Sequence, residues 1–179
     1  MIVTDDTHLC ALEYEGYDDR MMSFLHRRYD TVDLLPKANP LGITQQVAAY
    51  LQGNHTVIDH IPVNPGGTPF QQQVWTTLRM IPPGNTWTYG ELATALGKPT
   101  ASRAVGMANS KNPIVIVIPC HRVIGSSKTL VGYSGGVERK RWLLEHEGCF
   151  SNCHSEMANS LPTNHPTPEK TSTRQLSLL

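Results

Sequence analysis

The residues best equipped for covalent chemistry stand together at Pro119-Cys120-His121-Arg122. A cysteine attacks strongly only as a thiolate, so a reactive one needs a base or a positive field close by. Cys120 has an imidazole and a guanidinium as its next two neighbours in the chain. The alternative is an inert thiol at the end of an apolar segment, because free cysteine packs as a small hydrophobe. On extended backbone Cys120 and His121 would point to opposite faces, so a direct contact needs a turn and an indirect one needs a bridging water. The other cysteines, Cys10, Cys149 and Cys153, form no spacing that reads as a disulfide framework. Cys149, Cys153 and His154 are metal-ligand types without a matching pair upstream, so no metal is expected.

The elements that must position Cys120 can be read on both sides of it. Residues 114–118, Ile-Val-Ile-Val-Ile, are β-branched throughout and predict a buried extended segment delivering Cys120 to the interior. Upstream, Thr68-Pro69-Phe70-Gln71 and Thr88-Tyr89-Gly90-Glu91 are capping boxes, each opening a helix. The first helix turns Phe70, Val74, Leu78 and Ile81 inward and stops before Pro82-Pro83-Gly84; the second runs from Tyr89 to Leu96 and is closed by Gly97. After Lys98-Pro99, Thr100 is placed to cap a third helix from Ala101 to about Asn109, and two short helices across a tight turn are helix-turn-helix grammar. A last helix spans Glu138 to Glu147 and ends at Gly148.

The first part of the chain predicts a strand over His8 to Tyr14, helices over Tyr17 to Tyr29 and Ile43 to Leu51, and a second strand over Thr56 to Val63. Asn64-Pro65-Gly66-Gly67 is a strong breaker and divides residues 1–66, an α/β unit, from residues 67–150. Residues 151–179 contain no aromatic side chain, and Ser, Thr, Asn and Pro fill fifteen of their twenty-nine positions, a composition expected to stay disordered. The fold class is α+β, a small N-terminal sheet with helices followed by a mainly helical domain.

A formal net charge of zero hides strong segregation. Residues 1–60 carry net −5, whereas residues 98–141 hold eight Lys or Arg against Glu138 alone, net +7. That asymmetry is the footprint expected of a surface that meets phosphates. No apolar run approaches the roughly 20 residues of a membrane span, and the N-terminus lacks signal-peptide grammar. A cytoplasmic protein is expected, acting as a monomer.

Pro119-Cys120-His121-Arg122-Val123-Ile124, with Asn112-Pro113 before it and Gly132-Tyr133-Ser134-Gly135-Gly136 after it, resembles the active-site region of the O6-alkylguanine-DNA alkyltransferases. The resemblance runs from about Thr68 to Gly148, extends more loosely into the N-terminal part, and is nearest to the bacterial constitutive type. It implies a ribonuclease-H-like N-terminal domain, a helix-turn-helix, and irreversible transfer of the alkyl group from O6-alkylguanine or O4-alkylthymine in double-stranded DNA to Cys120 after base flipping, without a cofactor. In that resemblance His121 is the general base acting through a water, Glu147 orients it, Asn112 supports the active-site turn, and Tyr89 contacts the target nucleotide and donates a proton to the leaving guanine. Arg103 is the finger that fills the vacated stack. Thr88, Ala104, Ala108 and Arg122 lie with Arg103 and Tyr89 on the expected DNA surface, and Tyr133, Ser134, Val115 and Val131 shape the pocket for the flipped base. Many family members have further chain before the position of Ile2-Val3, so either part of the N-terminal sheet is expected to be absent or the start of the chain is misassigned.

Two rivals come from other classes. A DNA sensor of the same fold, or a helix-turn-helix regulator, would bind without chemistry, and Cys120 argues against the former. A cysteine hydrolase would use Cys120 and His121 for acyl transfer, but no oxyanion-hole motif accompanies them and the basic helical segment would have no purpose.

Overall fold

In the computed structural model, which describes residues 1–149, strand β2 (Leu9–Leu12) is buried along its whole length. Strand β1 (Ile2–Thr4) pairs antiparallel with it. The remaining backbone groups of β2 must also find partners, because a buried unpaired amide is costly. The Leu9 amide donates to the Pro62 carbonyl at 2.8 Å, and the Asn64 amide donates to the Leu9 carbonyl at 2.8 Å. At the other end the Leu12 amide donates to the Pro113 carbonyl and the Val115 amide to the Leu12 carbonyl, both at 3.0 Å. One short strand therefore holds two distant parts of the chain.

Helix α1 (Asp18–His26) buries Met21 and Leu25 against Ala11. Helix α2 (Ile43–Leu51) buries Ile43 and Tyr50. The strand expected over Thr56 to Val63 is not formed. Residues 54–61 make successive turns, with Val57, Asp59 and Ile61 amides donating to carbonyls of Asn54, Thr56 and Ile58, and only Val63 bridges to Leu9. The apolar spacing explains it: Ile58 and Ile61 are three apart and both buried, while Asp59 and His60 between them are exposed, a period that turns satisfy and a strand does not.

Both capping boxes form with their reciprocal bonds, opening α3 (Pro69–Leu78) and α4 (Tyr89–Ala95). Helix α3 buries Val74, Trp75 and Leu78, and the Trp75 indole N–H is satisfied by the Ala108 carbonyl at 3.0 Å. Strand β3 (Trp87–Thr88) pairs in parallel with β4 (Val123–Ile124). Helix α5 (Ser102–Ser110) follows α4 across a short connection, but Thr100 does not cap it. Residues 98–101 close their own turn, the Ala101 amide donating to the Lys98 carbonyl at 2.9 Å, which leaves Ala101 as the capping position and Thr100 exposed.

The Ile-Val-Ile-Val-Ile run is buried, as its composition demands, but it is folded and not extended. Ile116 takes φ +71°, and the Ile118 amide donates back to the Ile114 carbonyl at 3.0 Å. Asn112 closes this loop from inside: its Oδ1 accepts from the Ile114 amide at 2.9 Å and its Nδ2 donates to the Ile118 carbonyl at 2.8 Å. A side-chain clasp of this kind substitutes for ladder bonds. Helix α6 (Val137–His146) buries Lys140, Leu143 and Leu144 and ends at Glu147, before Gly148 at φ +80°. One buried cluster joins Leu9, Ile43, Tyr50 and Ile61 with Leu78, Leu92, Val105, Ile118 and Leu143, so residues on both sides of the Asn64–Gly67 breaker share a core. No helix among the described residues is long and apolar enough to cross a membrane. The expectation for residues 151–179 lies outside the described residues.

Candidate active site

Cys120–Arg122 form a single 3-10 turn, made because the Arg122 amide donates to the Pro119 carbonyl at 3.0 Å and the Val123 amide to the Cys120 carbonyl; just before it, the Cys120 amide donates to the Ile118 carbonyl at 2.8 Å in a tighter turn. All three side chains point into the core. The turn removes the opposite-face restriction of extended backbone, yet Cys120 and His121 are not bonded to each other. Cys120 Sγ is contacted by Asn112 Nδ2 at 3.0 Å, so the clasp that folds the preceding loop also reaches the sulfur. His121 Nε2 lies 3.0 Å from Glu147 Oε1, while His121 Nδ1 is buried with no hydrogen-bond partner among the described residues. A carboxylate facing Nε2 fixes the proton there and leaves the lone pair on Nδ1.

Glu147 is more heavily bonded than an orienting carboxylate needs. Its Oε1 accepts from Tyr50 Oη at 2.7 Å and Arg122 Nη2 at 2.8 Å as well as from His121, and its Oε2 accepts from Arg122 Nε at 2.9 Å. Burial raises the proton affinity of Glu147, but the donors on His121 and Arg122 outweigh it and hold the carboxyl well below the usual carboxylate range. Burial pulls His121 down against the opposing pull of Glu147, keeping the imidazole neutral and able to act as a base. Burial pushes the Cys120 thiol up, opposed by the Asn112 donor and then by the charges of Arg20 and Lys140. Lys140 is fully buried, donates to the Val123 and Val131 carbonyls at 2.6 and 2.9 Å, and is pushed down to about 8 by desolvation. No group of three metal-ligand side chains occurs among the described residues. A buried thiol held by an amide donor, beside a neutral imidazole anchored on an ion-paired carboxylate, is machinery for making a thiolate and using it once the proton has left.

The comparisons agree with that chemistry. Residues 69–149 match the family model described as "6-O-methylguanine DNA methyltransferase, DNA binding domain". The methylated-DNA–protein-cysteine methyltransferase of Shigella flexneri is 49% identical over 150 residues, covering 83% of this chain and 88% of that protein. The chain belongs to the methylated-DNA–protein-cysteine methyltransferases. It is therefore a methyltransferase of DNA repair that carries an alkyl group to cysteine. Among solved structures, Mycobacterium tuberculosis OGT in complex with DNA aligns with a TM-score of 0.67 at 37% identity, over 82% of this chain and 84% of that one. The O6-methylguanine-DNA methyltransferase of Pyrococcus kodakaraensis aligns with a TM-score of 0.64 at 31% identity, over 82% and 89%.

In this methyltransferase the residues expected on the DNA surface divide. Arg103 and Ala104 are exposed at the start of α5, and Tyr89 is half-buried at the start of α4, its ring against Gly106 of α5. Burial pushes the Tyr89 phenol up. Thr88 spends its hydroxyl on the Glu91 amide. Two expectations are corrected. Arg122 is no DNA contact: its guanidinium is buried, bidentate on Glu147 and bonded through Nη1 to the Ile81 carbonyl at 2.5 Å. A buried carboxylate needs a compensating cation, and Arg122 is that cation. Ala108 is buried on the inner face of α5, where its carbonyl takes the Trp75 indole.

Of the expected pocket residues, Tyr133 bonds its hydroxyl to that of Tyr14 at 2.7 Å, Ser134 is half-buried beside it, and Val131 is 41% exposed. Val115 is enclosed in the core cluster, 1% exposed. Sequence reasoning missed Tyr50, Tyr14, Arg20 and Lys140. Arg20 is ion-paired with Glu13 and donates to the Asn112 carbonyl at 3.0 Å. A signal for Lys140 existed: it shares the i, i+3, i+4, i+7 face with Leu143, Leu144 and Glu147, all buried, although Glu138-Arg139-Lys140-Arg141 reads as a solvated run.

Proposed function

We propose that the protein repairs O6-alkylguanine in double-stranded DNA by moving the alkyl group onto Cys120, once per molecule and without a cofactor. The observation that carries this reading is the unpartnered lone pair of His121 Nδ1 beside Cys120, on an imidazole whose other nitrogen is anchored to Glu147. The thiol proton passes to His121 through a bridging water, since no hydrogen bond joins the two side chains directly. The thiolate then attacks the alkyl carbon in line; the S–C bond forms as the C–O6 bond breaks, and the electron pair leaves with guanine. Tyr89 donates its phenol proton to the leaving base and regains one from solvent, while His121 releases the thiol proton to water. The high proton affinity of its phenol suits a donor that must stay protonated until charge develops on guanine. The thioether has no evident route back, so the acceptor is consumed. O4-alkylthymine offers the same alkyl-to-oxygen bond and is the second substrate class.

The base must leave the stack to reach so deep a sulfur. Arg103, exposed at the first turn of α5, is the group that occupies the vacated place, and Tyr133, Ser134 and Val131 receive the flipped base. We read α4 and α5 as a helix-turn-helix, a reading supported by their short connection, and residues 1–66 as a ribonuclease-H-like unit ahead of an alkyl-acceptor unit at 67–150. The protein acts as a cytoplasmic monomer. Incubation with duplex DNA carrying radiolabelled O6-methylguanine, followed by peptide mapping, tests the assignment: label is expected on Cys120 and to stop at about one equivalent however much duplex is added. Cys120→Ala is expected to bind the duplex and take up no label. Continued turnover, or label elsewhere, would overturn the proposal.

A further inference from the structure

The Glu147 carboxylate is served by a donor that comes from the other part of the chain. Tyr50, on α2, is completely buried and places its hydroxyl 2.7 Å from Oε1, the same oxygen that faces His121. We propose that Tyr50 is a positioning residue of the alkyl-transfer site: its hydroxyl shares Glu147 Oε1 with His121 and so sets how strongly that oxygen holds the imidazole proton. The inference rests on the function proposed above.

Three donors converge on Oε1, and two of them, Tyr50 and Arg122, each take part of the negative charge that would otherwise stabilise a protonated His121. Arg122 compensates the charge as a cation, whereas Tyr50 is a neutral donor whose only role at that oxygen is to accept part of its lone-pair density. Burial and then the Glu147 charge push the Tyr50 phenol far up, so it stays a donor throughout the working range. The phenol ring is held by His55 and His146, edge to face at centroid distances of 5.8 and 5.5 Å, and His146 Nε2 lies 2.8 Å from the Tyr50 carbonyl. The hydroxyl is therefore aimed by packing against the turns that follow α2 and against the end of α6. Other ionisable groups around this centre are Arg122 and Lys140, which act on His121, Cys149 on Glu147's side, and Tyr14 and Tyr133 toward Tyr50. None of these donates to Oε1 except Arg122.

Removing the Tyr50 hydroxyl leaves more charge on Oε1 for His121. The imidazole then binds its second proton more tightly, and the acid limb of the transfer rate, where protonated His121 can no longer act as base, moves to higher pH. The test is the pH profile of single-turnover transfer to Cys120 from O6-benzylguanine, a free base that needs no flipping. Tyr50→Phe keeps the ring and its edge-to-face contacts with His55 and His146, so only the hydroxyl is lost. The acid limb is expected to rise by about half to one pH unit, with the plateau rate within about threefold of the parent. Replacing Tyr50 by 3,5-difluorotyrosine strengthens the donor and is expected to move the limb the opposite way, which decides the matter even if the Phe variant folds poorly. A limb that stays in place in both variants would overturn the proposal, whatever happens to the plateau. If the parent itself transfers nothing to Cys120 at any pH, the functional reading fails instead.

Discussion

At the scale of residues, the site is organised around one carboxylate. Glu147 stands at the end of α6, where the helix dipole disfavours a negative charge, and it is buried. Its ionisation survives because Arg122 meets it in two bonds and His121 and Tyr50 meet it in two more. Because its folded proton affinity is depressed, the pairing contributes stability above the unfolded value of about 4.3 and loses it as pH falls through the lower folded value. Glu147→Gln is accordingly expected to destabilise the protein by about 3–5 kcal/mol near neutrality, leaving Arg122 uncompensated, and by progressively less toward pH 2. Urea unfolding across that range measures it. A deficit that does not change with pH would mean that the ion pair contributes little.

At the scale of elements, the loop from Asn112 to Pro119 departs most from its sequence pattern. Ile116 sits in the left-handed region, which costs a β-branched residue about 1–3 kcal/mol, and the Asn112 clasp holds it there. Glycine ordinarily destabilises relative to alanine; at φ +71° that order reverses, because alanine keeps the Cβ penalty and glycine does not. Ile116→Gly and Ile116→Ala both lose the buried side chain, yet the glycine variant is expected to be the more stable by about 1 kcal/mol in chemical denaturation. Alanine being the more stable would show that the loop relaxes. Helix α5 carries the other test. Arg103 is exposed at its first turn, well outside the Cys120 cluster, so Arg103→Ala should slow repair of duplex DNA by tenfold or more, about 1.4 kcal/mol, while leaving attack on free O6-benzylguanine near the parent rate. Lysine should rescue only in part, since an ammonium cannot stack as a guanidinium does. Equal losses on both substrates would move Arg103 into the active-site scaffold.

At the scale of the whole molecule, the first sixty residues are a working part of the site and not an appendage. They supply Tyr50 to Glu147, Arg20 to Asn112 and Tyr14 to Tyr133, and β2 pins the loop that precedes Cys120. The acceptor motif, the capping boxes and Glu147 all precede residue 150 in the chain, and residues 151–179 have the polar, aromatic-free composition of a segment that builds no core. Removing residues 151–179 is therefore expected to leave the single-turnover transfer rate unchanged, within about twofold; a larger loss would assign those residues a place in the reaction.

Features carried by neighbours in the chain could be read from the sequence alone. The capping boxes at Thr68 and Thr88, the glycine stops at Gly97 and Gly148, and the Pro-Cys-His-Arg motif each depend on bonds spanning a few residues, and each stands where its spacing put it. What depends on distant contacts could not be read. Residues 114–118 have the composition of a strand, but Asn112 and Leu12 fold them into a turn, because burying five β-branched side chains specifies an environment and not a dihedral angle. Arg122 belongs to a basic segment, and only the arrival of Glu147 from twenty-five residues downstream draws it inward. Tyr50 carried no sequence signal at all, since a tyrosine on the apolar face of a helix reads as core until tertiary packing brings a carboxylate to its hydroxyl.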